Sequence, residues 1–416
     1  MVDFMALREA NPELWKTAAD DWVDLARRAE QSANDIYQRG VGALDEHWTD
    51  AVGERAGQKL KELANSYQVA AATIRGVVST LDGLGESVDA VRGSLQSAID
   101  YAHRYGLVVD GNGRVSQQPG THCAEDEPKI SQANRLITEA IESASRIDDE
   151  ASAELDRLRD AISNTDLSKA LDQIQQSASE NQLALLRESL PIGADAATVR
   201  IWWSSLTPAE QAAYERALPV DLYDLDGVPD DVKQRMRGTD GYDRIEMLRW
   251  ARQNVDNTDI DIFDNNCANF VSHALEHAGL DQKMGWDGTF GGNSWGHGSQ
   301  TGWDWLDARD SSHTASWAQA DAQHDFLVHN GGQQVSVPQA QPGDVIYWEQ
   351  AGAGGPTEPG QVHHAAVVTS VTPDGTIHYT QHSSSRLDAS LDGRLPATEV
   401  REGNQRVAIV RPRQTW

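Results

Sequence analysis

Residues 264–279 read DNNCANFVSHALEHAG, and this stretch decides how the C-terminal part of the 416-residue chain is built. Phe270, Val271, Ala274, Leu275 and Ala278 recur with the spacing of one helix face, and the polar run Asp264-Asn265-Asn266 immediately before them supplies residues that cap a helix start. Cys267 therefore falls in the first turn. A thiol there meets unpaired backbone N–H groups and the positive end of the helix dipole, both of which favour the thiolate, the form that attacks carbonyl carbon. The apolar stripe anchors the helix in a core and holds the sulfur at a cleft.

A nucleophile needs a base, and GQVHHAAVVTSV at 360–371 offers one where His363 and His364 open a β-branched run. Side chains alternate across a strand, so one of the two can face Cys267; His364 is preferred because Ala366 and Val368 share its face as small neighbours. A second strand, 377–382, follows the turn Pro373-Asp374-Gly375 and ends in Gln381 and His382, either of which can orient the imidazole. Cysteine on a helix, then histidine and a polar residue on adjacent strands, is the order of papain-like hydrolases.

The string NNCANFVSHALEHAG, the Trp-rich segments SWGHGSQTGWDWLD and SHTASWAQADAQHDFLVHNGG, then QPGDVIYWE, VHHAAVVTSV and IHYTQHSSSR together resemble the putative amidase domain family of bacterial cysteine hydrolases, relatives of the NlpC-like cell-wall peptidases. The resemblance spans roughly residues 240–412 and implies Cys267 as nucleophile, His364 as base and His382 as third member, with no metal or cofactor. One departure is Asn266, where the family usually has Asp. Asn266 and Gln381, beside the catalytic groups, are candidate substrate contacts. The Gly- and Trp-rich stretch from Gly285 to Trp317, with Trp286, Trp295, Trp303, Trp305 and Trp317, is long for a loop in a compact domain and is assigned to the rim of the cleft, Trp295 and Trp317 as substrate contacts.

A rival motif overlaps the same helix. His273-Ala274-Leu275-Glu276-His277 spells H-x-x-E-H, the inverted zinc-protease signature, with Glu349 as a third ligand. The alternatives to a cysteine hydrolase are accordingly a zinc metallopeptidase, or a non-enzymatic binding protein whose Cys267 is only a small buried side chain.

A net charge of −29 argues against nucleic acid or an anionic membrane surface as main partner. Cys123 and Cys267 could pair only by disabling the nucleophile, so both are expected as free thiols. The N-terminus lacks the apolar segment of a classical signal peptide, and no run reaches the length of a membrane span.

Residues 1–190 read as an elongated antiparallel helical bundle. A first helix, 11–46, carries Leu14, Ala18, Trp22, Leu25, Ala29, Ala33 and Ile36 in one stripe; a second runs to about Tyr105 on a heptad seam from Leu60 through Leu63, Tyr67, Val77 and Leu84 to Ala102; a hairpin at 107–115, a third helix at 129–164 and a fourth at 167–190 follow. Two long helices broken at Trp48, with Gly53 beyond, resemble the helical-hairpin substrates of type VII secretion, though the usual Trp-x-Gly is replaced. Tyr242 to Glu246 fits the Tyr-x-x-x-Asp/Glu export pattern but lies at the start of the C-terminal domain. A scaffold for homodimerisation is the competing reading. Residues 191–238 form a helical connector in which Thr207 caps a helix and Trp202 and Trp203 pack as anchors. Residues 239–416 form the papain-like domain. The fold class is a helical bundle followed by an α+β domain. The expected protein is secreted or wall-bound without a classical signal, cleaves amide bonds in peptidoglycan peptides, and meets secretion machinery or an immunity protein. Which bond, whose wall and which oligomeric state stay open.

Overall fold

The computed structural model describes residues 2–48, 50–120, 124–161, 174, 181–283, 293–297, 313–351, 357–373, 375–383, 385–391 and 405–416. The chain divides into two compact units, Met1–Glu210 with Gly393–Pro396, and Gln211–Asp392 with Ala397–Trp416. A helical N-terminal region is followed by an α+β domain, the class the sequence patterns indicate.

The first unit is organised on one long helix. After α1 (Phe4–Glu9), α2 (Pro12–Asp35) runs into a π-helical turn (Ile36–Val41) and α3 (Gly42–His47), and then α4 spans Ala51–Arg104. Asp50 caps α4 by accepting from the N–H groups of Val52 and Gly53, both at 2.9 Å. A strand pair, β1 (Leu107–Val109) and β2 (Val115–Gln117), precedes α5 (Glu127–Ala161), and residues 181–187 form α6. Most of the expected fourth helix lies outside the described residues, as does Cys123. Next comes α7 (Ala196–Ser205), where Trp202 and Trp203 are buried and Trp202 Nε1 donates to Ser94 Oγ at 3.2 Å.

The face that α2 buries is not the one its largest side chains suggest. Leu14, Trp22 and Leu25 are exposed, whereas Ala19, Val23, Ala26, Ala29 and Ala33 are buried. Small side chains let α2 lie close along α4, and Arg75, itself buried, grips Glu30 through Nε and Nη2 at 2.6 and 2.8 Å. The heptad seam of α4 holds in its second half, where Val88, Val91, Leu95, Ala98 and Ala102 are buried, but Leu63 and Tyr67 are exposed. Between Ala71 and Val88 the helix has neighbours on more than one side, so polar and small residues such as Ser79, Thr80 and Gly83 are buried as well. Gly76 lies against Leu158 of α5, where a Cβ would stand 2.6 Å from Leu158 Cδ2.

The boundary between the units falls within α8 (Pro208–Ala217), which is entered through a capping box in which Thr207 Oγ1 accepts from Glu210 N–H at 3.3 Å and Glu210 Oε2 accepts from Thr207 N–H at 2.6 Å. Helices α9 (Pro219–Asp224), α10 (Asp230–Arg237) and α11 (Arg244–Gln253) lead to α12 (Cys267–His277), and α13 (Ala315–Ala318) and α14 (Ala320–His329) precede a six-stranded antiparallel sheet. Its strands are β3 (Gln333–Val335), β4 (Val345–Gln350), β5 (Val362–Val371), β6 (Ile377–Gln381), β7 (Arg386–Ser390) and β8 (Gln405–Arg411), in spatial order β3-β8-β4-β5-β6-β7.

Strand β4 is buried on both faces, and alternation sorts its residues into two cores. Val345 and Tyr347 join Ala365 and Val367 of β5 with Phe270, Val271, Ala274 and Leu275 of α12, while Ile346 and Trp348 pack with Ala366, Val368, Ile377 and Tyr379. Full burial of the four α12 side chains fixes the helix against the sheet, at about 1.5–3 kcal/mol for each of the larger ones. The QPGD turn before β4 is an electrostatic clasp. Arg411 Nε and Nη2 donate to Asp344 Oδ1 and Oδ2 at 2.9 and 3.0 Å, and burial of Asp344 outweighs this pairing enough to push its carboxyl above the ordinary carboxylate value.

Candidate active site

Asn265, Asn266 and Asn269 position Cys267. Asn265 Oδ1 accepts from the Cys267 N–H at 3.4 Å; Asn266, at the cap position, instead folds its side chain back, Oδ1 accepting from Ile262 and Phe263 N–H at 2.9 and 3.2 Å and Nδ2 donating to the Phe263 carbonyl. Asn269 Nδ2 donates to the Ile260 carbonyl at 2.7 Å. The loop ahead of the thiol is thus tied by Asn266 and Asn269, while Asn265 makes the cap contact that the polar run suggests. Asn266, expected to touch substrate, is buried and spent on this loop.

The sulfur is recessed: Cys267 is only 4% exposed, deeper than a side chain lying open at a cleft surface. Burial pushes its thiol up, but a hydrogen bond with His364, the charge of that ring, and the backbone N–H groups of Ala365 and Ala268 outweigh it and leave the thiol below its usual value. Tyr347 stands under the site, its phenol held well above the ordinary range by burial and by the nearby Cys267 charge.

His364 joins the thiol to the sheet. Its Nε2 lies 2.7 Å from Gln381 Oε1, and its ring packs 5.0 Å from the Trp348 indole, which in turn meets Tyr379 at 5.0 Å. The neighbour on this side is therefore a large aromatic wall rather than the small side chains expected; Ala366 and Val368 lie in the core beside it. A register shift between β4 and β5 beside His364 marks where this strand end leaves the regular ladder.

His382 goes elsewhere. Its Nδ1 donates to the Val255 carbonyl at 2.7 Å, its Nε2 lies 2.7 Å from Asp261 Oδ1, and its ring stacks on Phe270 at 5.7 Å. The structure thus brings Cys267, His364 and Gln381 together, and His382 serves the loop that precedes Cys267. Ser383, next in the chain, adopts φ of 68°, in the left-handed region, and its Oγ accepts from the Asn266 N–H at 2.5 Å, linking the end of β6 directly to the start of α12.

Trp295 and Trp317 are buried, so the two described indoles of the Trp-rich stretch join the core rather than its rim. Trp295 Nε1 donates to Ser272 Oγ at 3.0 Å, Trp317 Nε1 to Asn269 Oδ1 at 2.8 Å, and Ser272 Oγ to the Trp317 carbonyl at 2.8 Å. Gln323 Nε2 donates to the Ala268 carbonyl at 2.8 Å and to Ser272 Oγ at 2.7 Å, while its Oε1 accepts from Tyr347 at 3.1 Å. This buried network clamps the first two turns of α12 and went unnoticed in the sequence. Its only signal was a polar residue, Ser272, next to the apolar stripe, and Gln323 lies inside a helix with nothing to mark it. Trp286, Trp303 and Trp305 lie outside the described residues.

The zinc-protease reading loses its geometry. His277 is exposed on α12. Glu349, its supposed ligand, pairs with Arg406. Burial and the charge of His297 hold the His273 imidazole down to about 4, which leaves the ring neutral and does not itself count against a metal. Tyr242 of the export-like pattern is buried and donates to the Gly343 carbonyl at 3.0 Å.

A cysteine in a helix first turn, an imidazole on a neighbouring strand and an amide oxygen behind it are groups that can carry out acyl transfer. Residues 241–405 match the model of the family described as putative amidase domain. The C-terminal unit is thus amidase-like, which points to hydrolysis of amide bonds. Among curated proteins no relative matches the chain, and among solved structures none does.

Proposed function

We propose that the protein is a cysteine amidase that cleaves amide bonds through Cys267, His364 and Gln381. The observation that carries the reading is His364 hydrogen-bonded to both the Cys267 thiol and Gln381, with the thiol depressed by that contact. With Nε2 given to Gln381, Nδ1 is the nitrogen that exchanges a proton with the sulfur. The thiolate attacks the amide carbonyl carbon and a C–S bond forms. As charge passes from sulfur to oxygen, the Ala268 N–H that faced the thiolate and the Cys267 N–H, held by Asn265 only at 3.4 Å, turn to the oxyanion. The imidazolium gives its proton to the leaving nitrogen as the C–N bond breaks. Water then attacks the thioester, passing a proton to His364, and the sulfur departs as thiolate. Gln381 keeps the ring in one orientation and accepts from Nε2–H throughout.

The substrate we favour is the stem peptide of peptidoglycan, reached after export of a chain whose N-terminal helices act as a type VII secretion hairpin. The support is the resemblance of the C-terminal motifs to cell-wall hydrolases, and the helix pair broken at Trp48. Purified peptidoglycan digested by wild type and by Cys267→Ala, with the muropeptides read by mass spectrometry, tests this: wild type should release amide-cleaved fragments and the variant none. Cleavage that survives Cys267→Ala and is lost on chelation would overturn the thiol in favour of a metal, and absence of any cleavage by wild type would overturn the substrate.

A further inference from the structure

The C-terminal half of α12 carries chemistry that the thiol does not use. His273 and Glu276 stand one turn apart on it, and His297 arrives beside Trp295, held by bridges from Trp295 to Lys283 and from His297 to His313. His297 Nε2 lies 3.0 and 3.2 Å from the two Glu276 oxygens. His273 Nδ1 stops 3.9 Å from Glu276 Oε2, beyond hydrogen-bond range. One ligand atom from each of the three falls within 4.8 Å of the other two.

Zinc bonded to imidazole nitrogen and carboxylate oxygen at about 2.0–2.2 Å in tetrahedral geometry keeps its ligands about 3.3 Å apart. The separations to the Glu276 carboxylate, 3.0 Å on one side and 3.9 Å on the other, straddle that spacing. We propose that His273, Glu276 and His297 form a binding site for a divalent transition metal of the zinc class, which fastens the backbone around Trp295 and His297 onto the helix that carries Cys267.

The donor set of two imidazoles and one carboxylate suits zinc rather than magnesium or calcium, which take all-oxygen shells. An ion pair of His297 with Glu276 would not require His273 to face the same carboxylate. The groups behind the ligands are also arranged for the purpose. Gln282 Nε2 donates to Glu276 Oε1 at 2.6 Å and its Oε1 accepts from the His297 backbone N–H at 3.1 Å, so one side chain grips both. A Cβ on Gly296 would collide with that Gln282 oxygen. The Trp317 indole packs 5.1 Å from the His273 ring and 4.3 Å from the His297 ring, and Trp250 stacks on His273 at 5.9 Å, fixing both imidazoles. Six residues separate His273 from Cys267, about 9 Å along the helix axis, so the site is separate from the thiol and stands independently of the amidase reading. It also differs from the sequence signature: Glu276 is a ligand, not a base, and His277 takes no part.

The test is titration of the metal-free full-length protein with Co2+, followed by visible ligand-field absorption, and then with Zn2+ in competition. One equivalent of Co2+ should bind and be displaced by Zn2+. His273→Ala and His297→Ala should each abolish the band, Gln282→Ala should weaken binding by about 10–100-fold, and His277→Ala and Cys267→Ala should leave it intact. Thermal unfolding followed in parallel should rise with Zn2+ in wild type and not in His273→Ala or His297→Ala, with far-ultraviolet circular dichroism verifying that each variant is folded. Failure of wild type to bind a stoichiometric ion would overturn the site. So would binding that survives both histidine variants, or that is lost in His277→Ala instead.

Discussion

Replacing Gln381 by Ala isolates the residue behind the imidazole. The contact removed is the 2.7 Å hydrogen bond from His364 Nε2 to Gln381 Oε1. Gln381 is 2% exposed, so water does not readily take the vacated place, and the loss falls in the range of about 1–3 kcal/mol for a buried polar group left unpaired. Gln381 stabilises the ring most when both nitrogens carry protons, the state that accompanies the Cys267 thiolate. Its removal therefore disfavours the thiolate–imidazolium pair, and at about 1.36 kcal/mol per unit the pH at which the thiolate appears rises by about 1–2 units. The assay is the rate of alkylation of Cys267 by iodoacetamide against pH, in a Cys123→Ser background, with the modified peptide identified by mass spectrometry. Wild type should react below the pH of an ordinary thiol, because the contact with His364 depresses it despite burial. Gln381→Ala should shift the profile upward. His382→Ala should leave the profile in place and lower stability by about 1–3 kcal/mol, since its partners are Asp261 and the Val255 carbonyl. A profile that moves with His382→Ala and not with Gln381→Ala would refute the assignment.

Arg411→Met should destabilise the C-terminal unit by about 3 kcal/mol at neutral pH, the lower end of the range for breaking a buried pair, because Asp344 is left buried without its partner while Arg411 was partly solvated. The pH dependence has a definite sign. Asp344 already titrates above its unfolded value of 3.8, so the folded state holds the extra proton between the two values and its contribution weakens as pH rises through that window. Loss of the guanidinium raises the folded value further, so urea unfolding should find the variant nearest wild type in acid and furthest from it at neutral pH; an equal deficit at both would contradict this. Gly53→Ala places a methyl group onto the Trp48 carbonyl and should cost about 1–3 kcal/mol in thermal unfolding of the helical unit. An unchanged melting curve would mean the Trp48 break does not need a glycine at this position.

What the sequence made readable, and what it concealed, follows from how many sides of an element are covered. Helix α12 sets a continuous apolar stripe against the sheet, so Phe270, Val271, Ala274 and Leu275 announce both the helix and that side of it, whereas its other buried flank, with Asn269 and Ser272, carries no such mark. Helix α2 does not announce its buried side, because close packing on α4 is built from Ala19, Ala26 and Ala33, which carry little hydropathy, while Leu14, Trp22 and Leu25 point the other way. At the candidate site, helix start and strand order located Cys267 and His364 from local pattern alone. The choice between Gln381 and His382 was not local: adjacent residues on a strand point to opposite sides, and which side faces His364 depends on the register of β6 against β5, which itself shifts near Val368 and Ser370. The two described indoles are hard to place for a related reason. A Trp in a glycine-rich stretch looks like loop, yet Trp295 and Trp317 each find a buried acceptor, Ser272 Oγ and Asn269 Oδ1, on the helix of the thiol. Both acceptors lie within five residues of Cys267 in the chain. The polar atoms that look out of place beside the apolar stripe are thus the ones that fasten the helix of Cys267 to the two indoles.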